Sequence, residues 1–369
     1  MTALAIIAML AWLYLVLLHG RFWQSGPSLA PARPIDAPAV AIIVPARDEA
    51  ELVAASIGSL LAQDYGGDFC VVLVDDGSSD GTAAIARALP DPAGRLSVVA
   101  APPRPPGWAG KLWAVHQGIT ATDARTLLLT DADIVHDPQH LATLVAQMER
   151  GGAELVSEMV ALNCETVAER AVLPGFVYFF ALLYPFSWVN DRGRGTAAAA
   201  GGTVLIRRSA LERIGGIAAI RGALIDDVSL ARAVKPGGAI WLGHGGLARS
   251  IRRSADFSTL WRMVARCAYV QLGYSPALLL GTVLVLGLVF LVPPVAALAW
   301  GSPFGLLAWA LMAGSFVPSL RRFGVSPLWA PLLPAVAAFY MAATFGAAID
   351  HHRGRGVVWK SRAYGEGSA

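Results

Sequence analysis

The chain has 369 residues, of which 55% are hydrophobic and 15% charged, and its formal net charge is +3. Soluble domains carry charge on roughly a quarter of their residues, so the composition excludes an ordinary water-soluble protein and points to lipid contact. The small net charge leaves no nucleic-acid footprint. Cys70, Cys164 and Cys267 lie far apart without a C-x-x-C, which argues against a disulfide framework or a cysteine zinc site and fits a reducing, cytoplasmic setting.

Residues 3–18, ALAIIAMLAWLYLVLL, carry no charge and with their neighbours approach the roughly 20 residues of a spanning helix. The start MTALA has no basic residue and bulky HGRFWQ follows, which disfavours a cleaved leader. Residues 1–23 are therefore expected to form an uncleaved transmembrane anchor. Arg21 and Arg33 place the next segment in the cytoplasm. A Pro-rich linker occupies 24–37.

From residue 38 to 255 strand-like and helix-like segments alternate. VAIIVP (40–45), FCVVLVDDGSSDGT (69–82), LSVVA (96–100) and TLLLTDAD (126–133) read as strands, three of them entering polar turns. Helical patterns at 49–63, 83–89 and about 111–121 separate them. This order predicts an α/β domain with a mostly parallel sheet. Ligands of such sheets bind beyond the carboxyl ends of the strands. PARDE, DDGSSD and DAD each follow a strand, so all three should converge on one edge. Singly, each has a bland reading. Asp48 and Glu49 would favour a helix start, the DDGSSDGT turn would be a loop before a capped helix, and Asp131 and Asp133 would end a strand. Together, carboxylates in one crevice repel unless a cation or donors are supplied. Mg²⁺ or Mn²⁺ shared with substrate phosphates would relieve that.

Farther along, LPGFVYFFALLYPFSWVND (173–191) is aromatic-rich. A single crossing there would split motifs that must share one side, so an interfacial helix is expected. DFSTLWRMVARCAYVQL, within 256–275, is a second interfacial segment. Residues 276–350 hold three apolar stretches: 277–300 with a kink at Pro293-Pro294, a short one at 304–318, and 327–349 interrupted by Pro331 and Pro334. Arg321 and Arg322 and the basic tail 351–369 all favour the cytoplasm, yet three crossings would put the tail outside. Either one stretch turns back within the membrane or the charge rule yields. His136 and His140 have i, i+4 spacing, but Pro138 intervenes and no Glu follows the first His, so a zinc site is not expected.

VPARDE (44–49), VDDGSSDGT (74–82), GKLWAVHQG (110–118), LLTDADI (128–134), GGTVLIRRSALERIGG (201–216) and IDDVSLA (225–231), in this order, resemble the family 2 glycosyltransferases of the inverting GT-A type. The resemblance covers about residues 38–235. The anchor, the apolar carboxyl-terminal region and the GWAGK and WKSR-Y segments are further similar to hopanoid-associated membrane glycosyltransferases and to ceramide- and carotenoid-modifying relatives. The resemblance implies a GT-A fold and direct displacement on a nucleotide-diphosphate sugar, with a UDP-sugar as the expected donor. It implies Asp76 at the uracil side of the donor with Asp48 or Glu49 nearby, Asp131 by the ribose and diphosphate, Asp133 on Mg²⁺ or Mn²⁺, and Asp227 as catalytic base. Lys111 would assist the diphosphate, its bland alternative being a solvated loop lysine. Asp226–Asp227 would otherwise be a helix cap.

Two departures stand out. His116 occupies a position where the family often has Asn, and the Gln-x-x-Arg-Trp of processive and many lipid-modifying members is missing. Trp261, Arg262 and Arg266 are the nearest candidates for its work. The resulting expectation is a multi-pass protein of a bacterial-type inner membrane, its catalytic domain cytoplasmic, glycosylating a membrane lipid such as a hopanoid. Polyprenyl-phosphate is the competing acceptor. A nucleotidyltransferase would want a glycine-rich loop after the first strand, which PARDEAE lacks. A non-catalytic scaffold would not need Asp76, Asp133 and Asp227 together.

Overall fold

The structure, a computed structural model, describes residues 1–24, 26–254 and 256–354 and the backbone of 358–359 and 362–363. Most of the basic tail, including the WKSR-Y segment, lies outside the described residues. In chain order, helix α1 (Thr2–Leu17) precedes β1 (Val40–Ala46), α2 (Val53–Leu61), β2 (Phe69–Asp75), α3 (Thr82–Arg87), β3 (Leu96–Ala100), α4 (Gly110–Thr120), β4 (Thr126–Thr130), β5 (Ile134–His136), α5 (His140–Gly151) and β6 (Leu155–Ala161). There follow α6 (Val167–Leu183), α7 (Phe186–Val189), β7 (Thr203–Arg207), α8 (Arg208–Arg213), α9 (Asp226–Val234), β8 (Ile240–Ser250), α10 (Phe257–Gln271), α11 (Pro276–Leu286), α12 (Val292–Trp300), α13 (Pro303–Arg322) and α14 (Leu333–His352). The chain divides into two compact units.

The α/β unit holds Pro27–Asn163 and Trp188–Arg253. Its sheet runs β3-β2-β1-β4-β7-β6-β8-β5, with β1 parallel to both β2 and β4. β7 is antiparallel to β4 and β6, and β5 to β8, so the sheet is mostly parallel, as its sequence order predicts. β1 is buried along its whole length, which explains its unbroken apolar run. Ile42, Val44, Ile57, Leu60, Leu73, Leu141 and Val145 form the core between the sheet, α2 and α5. The chain steps outward from β1 to β3 and then returns to the other side of β1 at β4. That reversal is the switch point where a crevice opens at the strand ends.

The helical unit holds Met1–Gly26, Cys164–Ser187 and Ser254–Val357. The aromatic segment after residue 173 thus belongs to it, and Tyr178, 1% exposed, packs edge-on against Phe316 and Phe22. Thr166 and Glu169 start α6 with a reciprocal capping box. Three stretches, Pro276–Trp300, Pro303–Arg322 and Pro327–His352, are helical, long and apolar enough to cross a membrane. Leu280, Leu284, Leu298 and Leu306 point outward, 59–76% exposed, the arrangement lipid solvates and water does not.

Two expectations need correction. The stretch at 304–318 is not short, because α13 passes through Pro318 and runs 20 residues. In the other direction, α1 has only 16 residues, about 24 Å of helix against a hydrocarbon core of about 30 Å. Its chain turns at Gly20 (φ 60), and His19 Nε2 meets the Leu182 carbonyl at 2.8 Å. The Pro293-Pro294 break takes a specific form. Pro293 has no N–H to give the Val289 carbonyl four residues back. The helix widens to a π turn over Gly287–Leu291, and the Trp12 indole N–H donates to Val289 O at 2.7 Å.

Candidate active site

The polar ends of β1, β2 and β4 do meet at one edge. β1 closes at Ala46 opposite Asp75, and Asp76 N donates to Ala46 O at 2.9 Å. Arg47 reaches across, its Nη1 donating to the Asp76 carbonyl and lying 3.6 Å from Asp76 Oδ2. Asp76 is 3% exposed. Asp48 has φ 49, a left-handed conformation costly for a residue with a side chain. The turn after β2 holds it there: Asp48 N donates to Ser78 Oγ at 3.0 Å, and its Oδ1 accepts from Ser79 N at 2.8 Å. Glu49 N donates to Thr82 Oγ1 at 2.8 Å. Asp48 and Glu49 therefore do not cap α2 with their side chains.

Two ion-pair groups organise the edge, and the D-x-D segment belongs to both. In the first, Arg252 Nη2 contacts both Glu49 carboxylate oxygens at 2.7 and 2.8 Å, and its Nε lies 2.6 Å from Asp133 Oδ2. Burial disfavours the Arg252 charge, but Asp133 and Glu49 outweigh it and hold the guanidinium pKa above its ordinary value. In the second, Lys111 Nζ sits 2.8 Å from Asp131 Oδ1 and 3.1 Å from Asp226 Oδ2. Lys111 stands in the first turn of α4 and not in a solvated loop. Burial opposes its charge, yet Asp131 and Asp226 raise its pKa well above the usual lysine value. Partial burial and then Asp133 push the Asp131 pKa up, although Lys111 opposes that shift.

Asp226 and Asp227 are the first residues of α9, so they serve its dipole and the site at once. Asp227 Oδ1 accepts from Val228 N at 2.7 Å, and the nearby Gly201 backbone amide also lowers its pKa. A Cβ on Gly201 would come within 3.2 Å of Asp227 Oδ2 and 3.6 Å of Lys111 Nζ, so a bare backbone turn forms one wall. Burial and then Asp226 raise the Asp227 pKa to about 7, with Lys111 and the two backbone donors opposing. The crevice joining Lys111, Asp131, Gly201, Asp226 and Asp227 encloses about 30 Å³, room for one water.

No group of three or more His, Cys, Asp or Glu side chains suited to a metal occurs among the described residues. A hard cation such as Mg²⁺ or Mn²⁺ does not need one, since it is usually held by one or two carboxylates plus substrate phosphates. Asp133, with a side chain 15% exposed and Asp131 two residues away, fits that donor set once Arg252 shares it.

Arg252 and Arg47 were missed in the sequence. Arg47 lay inside a quoted motif without a role. Arg252 follows a strand too glycine-rich to read as one.

Residues 41–215 match the model of glycosyl transferase family 2. That stretch of the chain is similar to the family 2 glycosyltransferases. The succinoglycan biosynthesis protein ExoU of Rhizobium meliloti is 31% identical over 142 residues, 38% of this chain and 38% of its own length. A 4,4'-diaponeurosporenoate glycosyltransferase of Staphylococcus aureus is 26% identical over 201 residues, 53% of this chain and 51% of its own length. The matched stretches thus span about half or less of these relatives. Among solved structures, the mannosyltransferase PcManGT from Pyrobaculum calidifontis, in complex with GDP-Man and Mn²⁺, superposes over 95% of this chain and 99% of its own with a TM-score of 0.58 at 20% identity. That likeness shows the fold, a GT-A α/β fold.

Proposed function

We propose that the protein is a membrane-bound inverting glycosyltransferase that moves a sugar from a nucleoside-diphosphate donor, a UDP-sugar in the first instance, to a hydroxyl of a membrane lipid. The observation that carries the reading is the pairing of Lys111 with Asp131 and Asp226 beside Asp227. The reading is supported by a fixed cation next to a carboxyl group whose pKa is raised to about 7, at the switch-point edge of the sheet.

Each residue has a chemical task. Asp76 and Asp48, anchored to the turn after β2, would take the base and ribose end of the donor, with Glu49 beside them. Asp131 would face the ribose and diphosphate. Asp133 would hold a divalent cation, which when bound supplies Lewis-acid neutralisation of the departing diphosphate. Lys111 adds a permanent positive charge on the same side. Asp227 accepts the proton of the acceptor hydroxyl as its oxygen bonds to the anomeric carbon and the bond to the diphosphate breaks. One in-line displacement inverts the anomeric configuration.

The lipid acceptor is supported by the three apolar helices and by chain connectivity, since the glycosyltransferase domain is interrupted by and followed by segments of the helical unit. The hopanoid assignment rests on the GWAGK and carboxyl-terminal resemblance alone. Membranes containing the protein should transfer label from one member of a panel of UDP-sugars and GDP-mannose to an extracted lipid. Lipid mass spectrometry of a deletion strain should show one glycolipid class missing. Unchanged lipids with loss of a water-soluble glycoside would overturn the lipid acceptor. Loss of a polyprenyl-phosphate sugar would replace the hopanoid with that carrier.

A further inference from the structure

Behind the site lies a line of buried polar groups that the transfer reaction does not use. Glu158 on β6 and His140 at the start of α5 are 0% exposed, Thr130 at the end of β4 is 2% and His136 at the end of β5 is 3%. Glu158 Oε2 is 3.1 Å from His140 Nε2, and His140 Nδ1 is 2.9 Å from His136 Nδ1. His136 Nε2 is 3.1 Å from Thr130 Oγ1, which donates to the Gly202 carbonyl at 2.7 Å.

The hydrogens of this line can be placed by counting. A carbonyl only accepts, so the Thr130 hydroxyl proton points at Gly202. Thr130 Oγ1 must then accept from His136, which fixes a proton on His136 Nε2. Burial and the neighbouring His140 hold the His136 pKa well below the ordinary value, so the ring is neutral and its Nδ1 is a bare acceptor. His140 Nδ1 therefore carries a proton. One more proton lies between His140 Nε2 and Glu158. Whichever of the two owns it, the set has no net charge, and every hydrogen bond from His140 onward points toward Gly202. The other Glu158 oxygen, Oε1, is buried without a partner, an expense an apolar core would avoid. The backbone also makes room for it: a Cβ on Gly245 would lie 1.9 Å from Glu158 Cδ.

What the line grips is informative. Gly202 follows Gly201, where a Cβ would lie 3.2 Å from Asp227 Oδ2, and Thr130 precedes Asp131. Ser157 pins the same turn from below, its Oγ accepting from Ala200 N at 2.8 Å. We propose that Thr130, His136, His140 and Glu158 are positioning residues. They form a hydrogen-bond relay, one-directional from His140 onward, that holds the Gly201–Gly202 turn against the end of β4, and through them Asp227 against Asp131. The proposal rests on the glycosyl-transfer reading of that site.

The test uses the full chain in lipid nanodiscs with a total membrane lipid extract and UDP-glucose, UDP-N-acetylglucosamine and GDP-mannose. Thr130→Val removes the hydroxyl at constant shape, and its kcat should fall on the order of tenfold while donor KM stays within about twofold. Thr130→Ser should restore the rate. Glu158→Gln can donate its amide N–H to His140 Nε2, preserves the relay direction and should work nearly as well as the wild type, whereas Glu158→Met should be slow. Wild-type kcat in Thr130→Val overturns the relay and leaves the functional reading intact. A wild-type protein that consumes none of the donors overturns that reading and the relay with it. Should Thr130→Val fail to fold, ¹⁵N spectra of the wild-type histidines decide: His136 protonated on Nε2 is required, and His136 protonated on Nδ1 alone overturns the relay.

Discussion

Arg252 Nε lies 2.6 Å from Asp133 Oδ2, so the carboxylate expected to meet a divalent cation already faces a cation belonging to the chain. The two compete for one oxygen pair. Replacing Arg252 with Ala should tighten Mn²⁺ binding in the absence of nucleotide by about tenfold, the value of one charge-assisted hydrogen bond. Titration of the protein with Mn²⁺ followed by electron paramagnetic resonance measures it. Equal affinity in both proteins would show that Arg252 and the metal do not share Asp133.

Asp227→Asn keeps the side-chain size but cannot accept a proton. Transfer should slow by about 10²–10⁴, while calorimetry with UDP and Mn²⁺ should give an affinity within about twofold of wild type. Unimpaired turnover would remove Asp227 from the role of base.

The pH profile follows from the same residue. A base works deprotonated, and burial with Asp226 lifts Asp227 to about 7. The transfer rate should therefore climb about tenfold per pH unit below 7 and level off above it. Asp226→Asn removes a charge that raises this pKa and should move the limb to lower pH. Lys111→Met removes one that lowers it and should move the limb upward. A limb that stays in place in both variants would dissociate it from Asp227.

Trp12→Phe deletes the indole N–H that satisfies Val289 O and keeps an aromatic ring beside Phe290. An unpaired buried carbonyl costs about 1–3 kcal/mol, so the thermal midpoint in detergent should fall by several degrees. Trp12→Phe melting with the wild type would mean that Val289 O finds another donor.

The strand ends that build the site were legible because each is an abrupt change of chemistry: an apolar run gives way at Arg47, Asp75 or Asp131. Parallel order then forces those ends together. Arg252 was hidden because β8 contains Gly243, Gly245 and Gly246, which blur the strand whose end carries it. Lys111 was visible as a residue but its partners were not, since Asp131 and Asp226 come from elements far apart in sequence. His136 and His140 look like a helix-face pair, yet one ends a strand and the other starts a helix. Their partnership is set by the sheet and not by helical periodicity.

The bond between Trp12 and Val289 joins residues 277 positions apart. At synthesis rates of about 5–20 residues per second, the first helix leaves the ribosome about 14–55 s before its acceptor exists. During that interval the indole N–H must be kept by water, lipid headgroups or a chaperone. The helical unit thus cannot close until the segment around Val289 has been made, well after β1–β4. The order of assembly is written into a proline: by withholding one N–H at position 293, the chain makes α1 wait for a helix 277 residues farther along.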